Sequence, residues 1–114
     1  MNVQTASSRF GRIASNYVTS EVHRSSASMN YVKSVFRDQT ALRVLDLACG
    51  AGHFGFTLAP HAAQLTFCDP SPPMLEAVRA QASKLKLHVE TAEGTAEFLP
   101  FSEGAFDLVV SRLA

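Results

Sequence analysis

Residues 43–59 read RVLDLACGAGHFGFTLA, and inside them Gly50-Ala51-Gly52-His53-Phe54-Gly55 matches G-x-G-x-x-G letter for letter. Taken alone, that pattern is the phosphate-binding turn of a dinucleotide fold. The residues around it bear on that reading. A glycine loop after a first strand lets ligand atoms approach backbone that a Cβ would block, and the helix that follows offers unpaired N–H groups at its start. Both a dinucleotide and S-adenosylmethionine can use such a loop. In the dinucleotide pattern, apolar strand residues run straight into the first glycine, whereas here Asp46 interrupts the strand four positions earlier. A buried acid inside a central strand is costly unless donors or a cationic ligand lie nearby. S-adenosylmethionine carries an ammonium and a sulfonium, and a pyrophosphate is anionic, so Asp46 favours the former on charge. Asp46 can equally serve to tie down backbone amides of the glycine loop, and the two roles can coexist.

The surrounding pattern places that loop in an α/β domain. LRVLDLA (42–48) is a short apolar run suited to a buried parallel strand. GHFGFTLAPHA (52–62) reads as a helix stopping near Pro60, and QLTFCD (64–69) as a second strand. PSPPMLEAVRAQASKLK (70–86) opens with prolines that suit a loop and a first helical turn, with Met74, Leu75, Val78 and Ala82 forming its apolar face. LHVETA (87–92) is a third strand, EGTAEFLPFSEGA (93–105) is mostly loop, and FDLVVSRLA (106–114) is a fourth strand. Strands alternating with helices predict a parallel sheet with right-handed crossovers. Ligands then sit beyond the carboxyl ends of the strands, so the loops after residues 47, 69, 92 and 111 are expected to share one edge. The first 40 residues read as a helical cap: Phe10, Ile13, Ala14 and Tyr17 recur on one helix face, and Ser25 or Ser26 caps a second helix carrying Met29, Val32 and Phe36.

Composition sets bounds. The chain has 114 residues, enough for one small domain, with 46% hydrophobic and 18% charged residues, a globular balance. Ten basic and ten acidic side chains cancel, which gives no electrostatic case for nucleic acid or an anionic membrane. No apolar run approaches the roughly 20 residues of a membrane span, and the N-terminus lacks the apolar core of a secretory signal. Cys49 and Cys68 make no disulfide framework, and no His or Cys stands at zinc spacing from them. Reduced thiols, a cytoplasmic location and no metal are the expectations.

Three stretches then bear a resemblance. VLDLACGAGHF looks like the first motif of class I S-adenosylmethionine-dependent methyltransferases, TFCDPSPPMLEAVRAQA like their second strand, acidic end and following helix, and TAEGTAEFLPFSEGAFDLVVSRLA like their adenine loop and fourth strand. The upstream RFGRIASNYVTSEVHRS is similar to the N-terminal cap of the small-molecule branch, which includes quinone and biotin-pathway enzymes (methyltransferase type 11). On this resemblance Gly55 is a small helix residue that completes the dinucleotide pattern by chance. Residues 1–40 are the cap and 41–114 a Rossmann-like half domain.

The resemblance implies a cofactor site of Ala48, Gly50 and Gly52 in the loop, Asp69 on the ribose, Met74 against adenine, Thr95 and Ala96 at the adenine edge, and Ser111 at the amino group. Asp69 ends the second strand, and an ionised carboxylate suits a vicinal diol. The dinucleotide fold wants an acid there too. Many relatives carry Asp where Thr95 stands, so that contact lacks charge assistance here. Tyr17 on the cap is expected over the sulfonium, or packed as core. No side chain stands out as a general base. The family sheet has seven strands in the order 3-2-1-4-5-7-6, of which this sequence supplies 3-2-1-4. The expectation is therefore a chain too short to act alone, with FDLVVS as a bare apolar edge open to self-association or a partner chain. A small-molecule methyl acceptor is implied. The alternatives are a non-catalytic binding module and, more distantly, a dinucleotide-dependent oxidoreductase.

Overall fold

A computed structural model of the chain describes residues 3–5, 14–20, 30, 33–47, 53–95 and 100–111. In chain order the elements are β1 (Val3–Thr5), β2 (Ala14–Ser20), β3 (Leu42–Leu47), α1 (His53–Thr57), a 3-10 turn (Ala59–His61), β4 (Ala62–Asp69), α2 (Pro72–Leu85), β5 (Glu90–Glu93) and β6 (Phe106–Ser111). The strands form one six-stranded sheet in the order β1-β2-β6-β3-β4-β5. Its four C-terminal members, β5-β4-β3-β6, are the expected 3-2-1-4 arrangement, and the pairs among them are all parallel.

β3 sits between β4 and β6, and five of its six residues are buried. A parallel strand covered on both faces must be apolar nearly throughout. Alternation then divides the core. Val44, Leu65, Phe67, Leu108 and Val110 face Phe54 and Leu58 from the α1 region and Leu75 and Val78 from α2. Leu45, Leu47, Cys68 and Val109 lie on the other face with Phe106, beside Phe101 and Ala105. Phe101 meets Phe106 edge-on at 5.0 Å between centroids, a favourable ring geometry.

The turn chemistry is local. α2 opens with Pro72 and Pro73 in its first turn, where a missing N–H costs nothing. It closes with Lys86 in the left-handed region (φ 58°) and with Leu87 donating its N–H to the Ala82 carbonyl at 2.9 Å. Those bonds satisfy carbonyls that the last helical turn leaves open. Gly104, at φ 73°, gives the turn before β6 a conformation that a β-carbon would resist.

The N-terminal segment departs from expectation. Residues 14–20 form a strand, not a helix: β2 runs parallel to β6 from Ala14↔Phe106 to Thr19↔Ser111, and β1 pairs antiparallel with β2. The i, i+3, i+4 spacing competes there with Tyr17, Val18 and Thr19, residue types that favour strands. The edge of β6 offers the missing hydrogen bonds. The bare edge expected at FDLVVS is therefore absent, because β2 occupies it. The second expected helix is described only at Asn30 and 33–35, which are helical. Ser25, Ser26, Met29 and Val32 lie outside the described residues. No helix among the described residues is long and apolar enough to cross a membrane.

At the amino ends of β3 and β6, Arg43 is locked to Asp107. Its backbone N–H, Nε and Nη2 donate to the carboxylate at 2.8, 3.2 and 2.9 Å. The guanidinium hydrogen bond is the main reason that the Asp107 carboxyl lies below the usual carboxylate range. A depressed folded pKa means stability that is present above the unfolded value of about 3.9 and lost as pH falls through the folded value. Asp107→Asn is accordingly expected to lower the denaturation midpoint at neutral pH. The gap from the parent chain should narrow as the solution is acidified below about pH 3.9, the unfolded value, which a urea-titration series across pH would record.

Candidate site at the carboxyl edge of the sheet

The parallel register brings Leu47, Cys68 and Ser111 to one level, with Thr19 beside Ser111 and Ala92 beside Cys68. The chain therefore leaves β3, β4, β5 and β6 along a single edge, as the alternating pattern predicts. Asp46 stands one residue before that edge and is fully buried. Its Oδ2 accepts the backbone N–H of Gly55 at 2.8 Å. Gly55 is the third residue of α1, and its N–H is one of the donors that a first helical turn leaves unpaired. A carboxylate there also meets the positive end of the helix. Asp46 thus ties down the backbone at the start of α1; the amides of the glycine loop itself lie outside the described residues.

Gly55 is not a chance residue. A β-carbon on it would lie 2.4 Å from Phe67 Cε1 and 2.9 Å from Asp46 Oδ2. The helix start lies so close on the sheet that only hydrogen fits. Phe67 in turn stacks at a tilt on Phe56, 4.8 Å between centroids. This contact escaped the sequence reading, although the third glycine of G-x-G-x-x-G signals close helix–strand packing.

Asp69 ends β4 and is 8% exposed. Its Oδ1 accepts the Ser71 N–H at 2.9 Å, and its backbone carbonyl accepts the Gly94 N–H at 3.3 Å. The acid is thereby held rigidly between the loops that follow β4 and β5. A carboxylate has about four acceptor sites, so this local bond leaves a second role compatible. Met74, in the first turn of α2, is 37% exposed. Thr95 is exposed just beyond β5. Ser111 is fully buried at the end of β6. Tyr17 is corrected in place: it lies on β2, level with Val109 and two residues short of Ser111, roughly 7 Å down the strand. The helical placement that put it over the sulfonium does not hold. Ala48, Gly50, Gly52 and Ala96 lie outside the described residues.

Cys68 adjoins Asp69 and is fully buried. Burial, followed by the neighbouring Asp69 charge, pushes its thiol up to about 11. Among the described residues no group of three His, Cys, Asp or Glu is placed to hold a metal ion.

The comparisons with known proteins agree with this geometry. A profile of the methyltransferase domain family matches residues 44–114. Over 69 residues the chain is 42% identical to the demethylmenaquinone methyltransferase of Thermus thermophilus, a match covering 59% of this chain and 31% of that protein. Over 73 residues it is 34% identical to the uncharacterized methyltransferase YcgJ of Bacillus subtilis, covering 63% of this chain and 29% of that one. The crystal structure of YcgJ superposes with a TM-score of 0.68 at 28% identity, covering 78% of this chain and 37% of that chain. A putative methyltransferase from Bacillus halodurans gives a TM-score of 0.68 at 26% identity, covering 75% and 37%. The chain spans roughly a third or less of these relatives' length.

Two outcomes check the site's construction. Gly55→Ala is expected to cost about 1–3 kcal/mol through overpacking, roughly 4–24 °C in Tm for a domain near 100 residues. Phe67→Leu should cost less in that background than in the parent chain, because it relieves the clash. Cys68 should resist alkylation at pH 8 in the folded chain and react fully after unfolding, as site-resolved mass spectrometry would show. By fold, motif order and family match, the chain belongs to the class I S-adenosylmethionine-dependent methyltransferases.

Proposed function

We propose that the chain binds S-adenosylmethionine at the carboxyl edge of the sheet and forms the cofactor side of an enzyme that methylates a small molecule. The observation that carries this reading is the pair of buried acids at successive strand ends. Asp46 clasps the helix after the glycine loop, and Asp69 is braced by Ser71 and Gly94 one strand over. Two fixed negative charges at one edge suit a ligand that carries an ammonium, a sulfonium and a ribose diol, and repel a pyrophosphate. When bound, the cofactor supplies a methyl group already activated by the sulfonium. The chain's own residues hold and orient it. Asp69 accepts hydrogen bonds from the ribose hydroxyls, and Asp46 fixes the loop and lends its charge to the methionine end. The exposed face of Met74 packs on the adenine, the Thr95 hydroxyl and Ala96 N–H meet the adenine edge, and Ser111 lies at the amino group. Methyl transfer itself needs a nucleophile aligned about 3–3.5 Å from the carbon. The chain spans about a third of the relatives it matches, and residues 1–114 alone are expected to bind the cofactor without turning over.

The close packing of Gly55 is also what the third glycine of a dinucleotide turn provides, so the test must separate the two ligands. Calorimetric titration with S-adenosylhomocysteine should show saturable binding, and NADH none. Asp69→Ala should weaken S-adenosylhomocysteine about 10–150-fold, the equivalent of about 1.5–3 kcal/mol for charge-assisted hydrogen bonds. NADH binding with no response to S-adenosylhomocysteine would overturn the proposal.

A further inference from the structure

β5 is the outer strand on one side of the sheet, hydrogen-bonded to β4 alone among the described residues. An open strand edge is a template for another strand. Proteins commonly guard such edges with charge, and here the charges are ordered. Residues 84–93 read KLKLHVETAE, basic in the first half and acidic in the second. Lys86, His88, Glu90 and Glu93 are all exposed. Leu85 and Leu87, between the basic residues, are 46% and 36% exposed, large for apolar side chains. Among the described residues that edge is uncovered, and the segment from the end of α2 through residues 87–89 into β5 is partly apolar and self-complementary when reversed.

We propose that this edge pairs antiparallel with the same edge of a second copy of the chain, continuing the sheet across a two-fold axis at Val89. The register follows from three constraints. In a two-fold antiparallel pair with the axis normal to the sheet, opposed residues must share a face, so the register moves only in steps of two. The helix α2 ends at Leu85 with Lys86 as its left-handed cap, so the segment free to pair begins at Leu87, three residues before β5. Charge selects among the remaining registers. Centring on Val89 sets His88 opposite Glu90 of the second copy, twice by symmetry, with Lys86 diagonal to the same carboxylate and within reach of a long side chain. The next register, centred on Glu90, would place the two Glu90 carboxylates against each other, which is repulsive.

The faces also match. Arg79 of α2 donates to the Thr91 hydroxyl at 2.8 Å, and Val89 packs against the core under the helices. Glu90 and His88 consequently project from the opposite face, clear of α2. Leu87 and Thr91 come opposite each other on the helix side. The charges that would deter an arbitrary strand thus admit this one.

The experiment is sedimentation velocity on the full chain from the micromolar to the millimolar range. The parent should move from 12.3 kDa toward twice that mass, more weakly as salt is raised. Lys86→Glu/His88→Glu should be monomeric, because acids then face Glu90. Glu90→Lys should be monomeric for the converse reason. Mixing the two variants should restore a dimer, since every cross-contact is then opposite in sign, and combining all three substitutions in one chain should restore it too. Because these residues are exposed, circular dichroism should show every variant folded. A parent chain that stays monomeric throughout, or a dimer indifferent to the charge reversals, would overturn the proposal.

Discussion

The hydrogen bond from the Gly55 N–H to the buried carboxylate of Asp46 is the contact on which the carboxyl edge depends. It joins the end of β3 to the start of α1 and so spans the glycine loop between them. An acid in a central strand is tolerable only with such a donor. The donor can reach it only because residue 55 carries no β-carbon and Phe67 closes over it. Three residues far apart in kind therefore form one device: the acid holds the helix, the glycine permits the approach, and the ring seals it.

The remainder of the sheet serves that edge. Parallel pairing brings four chain exits level, and the apolar layers on both faces keep them so. Asp69 sits at the next exit, rigid between two loops. At the opposite ends of the strands, Arg43 and Asp107 fasten β3 to β6. The two sides of the sheet differ. On one side β6 is covered by β2, which comes from residues outside the family match at 44–114. On the other, β5 has no neighbouring strand beyond β4 among the described residues.

Much of this was legible beforehand. The β/α alternation from residue 42 to 111 could be read because each segment follows one period, with turn residues between. The run LRVLDL is apolar on both sides because both sides are buried. Asp46 could be marked as significant because it breaks that run. Gly55 was misjudged, since the contact that requires it comes from Phe67, twelve residues on and in another strand. The N-terminal forty residues were misread for a related reason. Residues 14–20 carry a helical spacing and strand-forming residue types at once, and the decision falls to the edge of β6, some ninety residues away. Tyr17 moved with that decision. Local pattern fixes elements whose partners are near in sequence, and it is silent where a distant strand makes the choice.

The central claim is that Asp46 holds the start of α1 in place for the loop before it. Amide hydrogen exchange at Gly55, followed by NMR in the parent chain and in Asp46→Ala, tests it directly. The account predicts a Gly55 amide that exchanges slowly in the parent and at least about tenfold faster in the variant, the equivalent of a lost bond worth about 1.4 kcal/mol or more. Amides in the middle of β4 should change far less. Equal protection of Gly55 in the two proteins would contradict it.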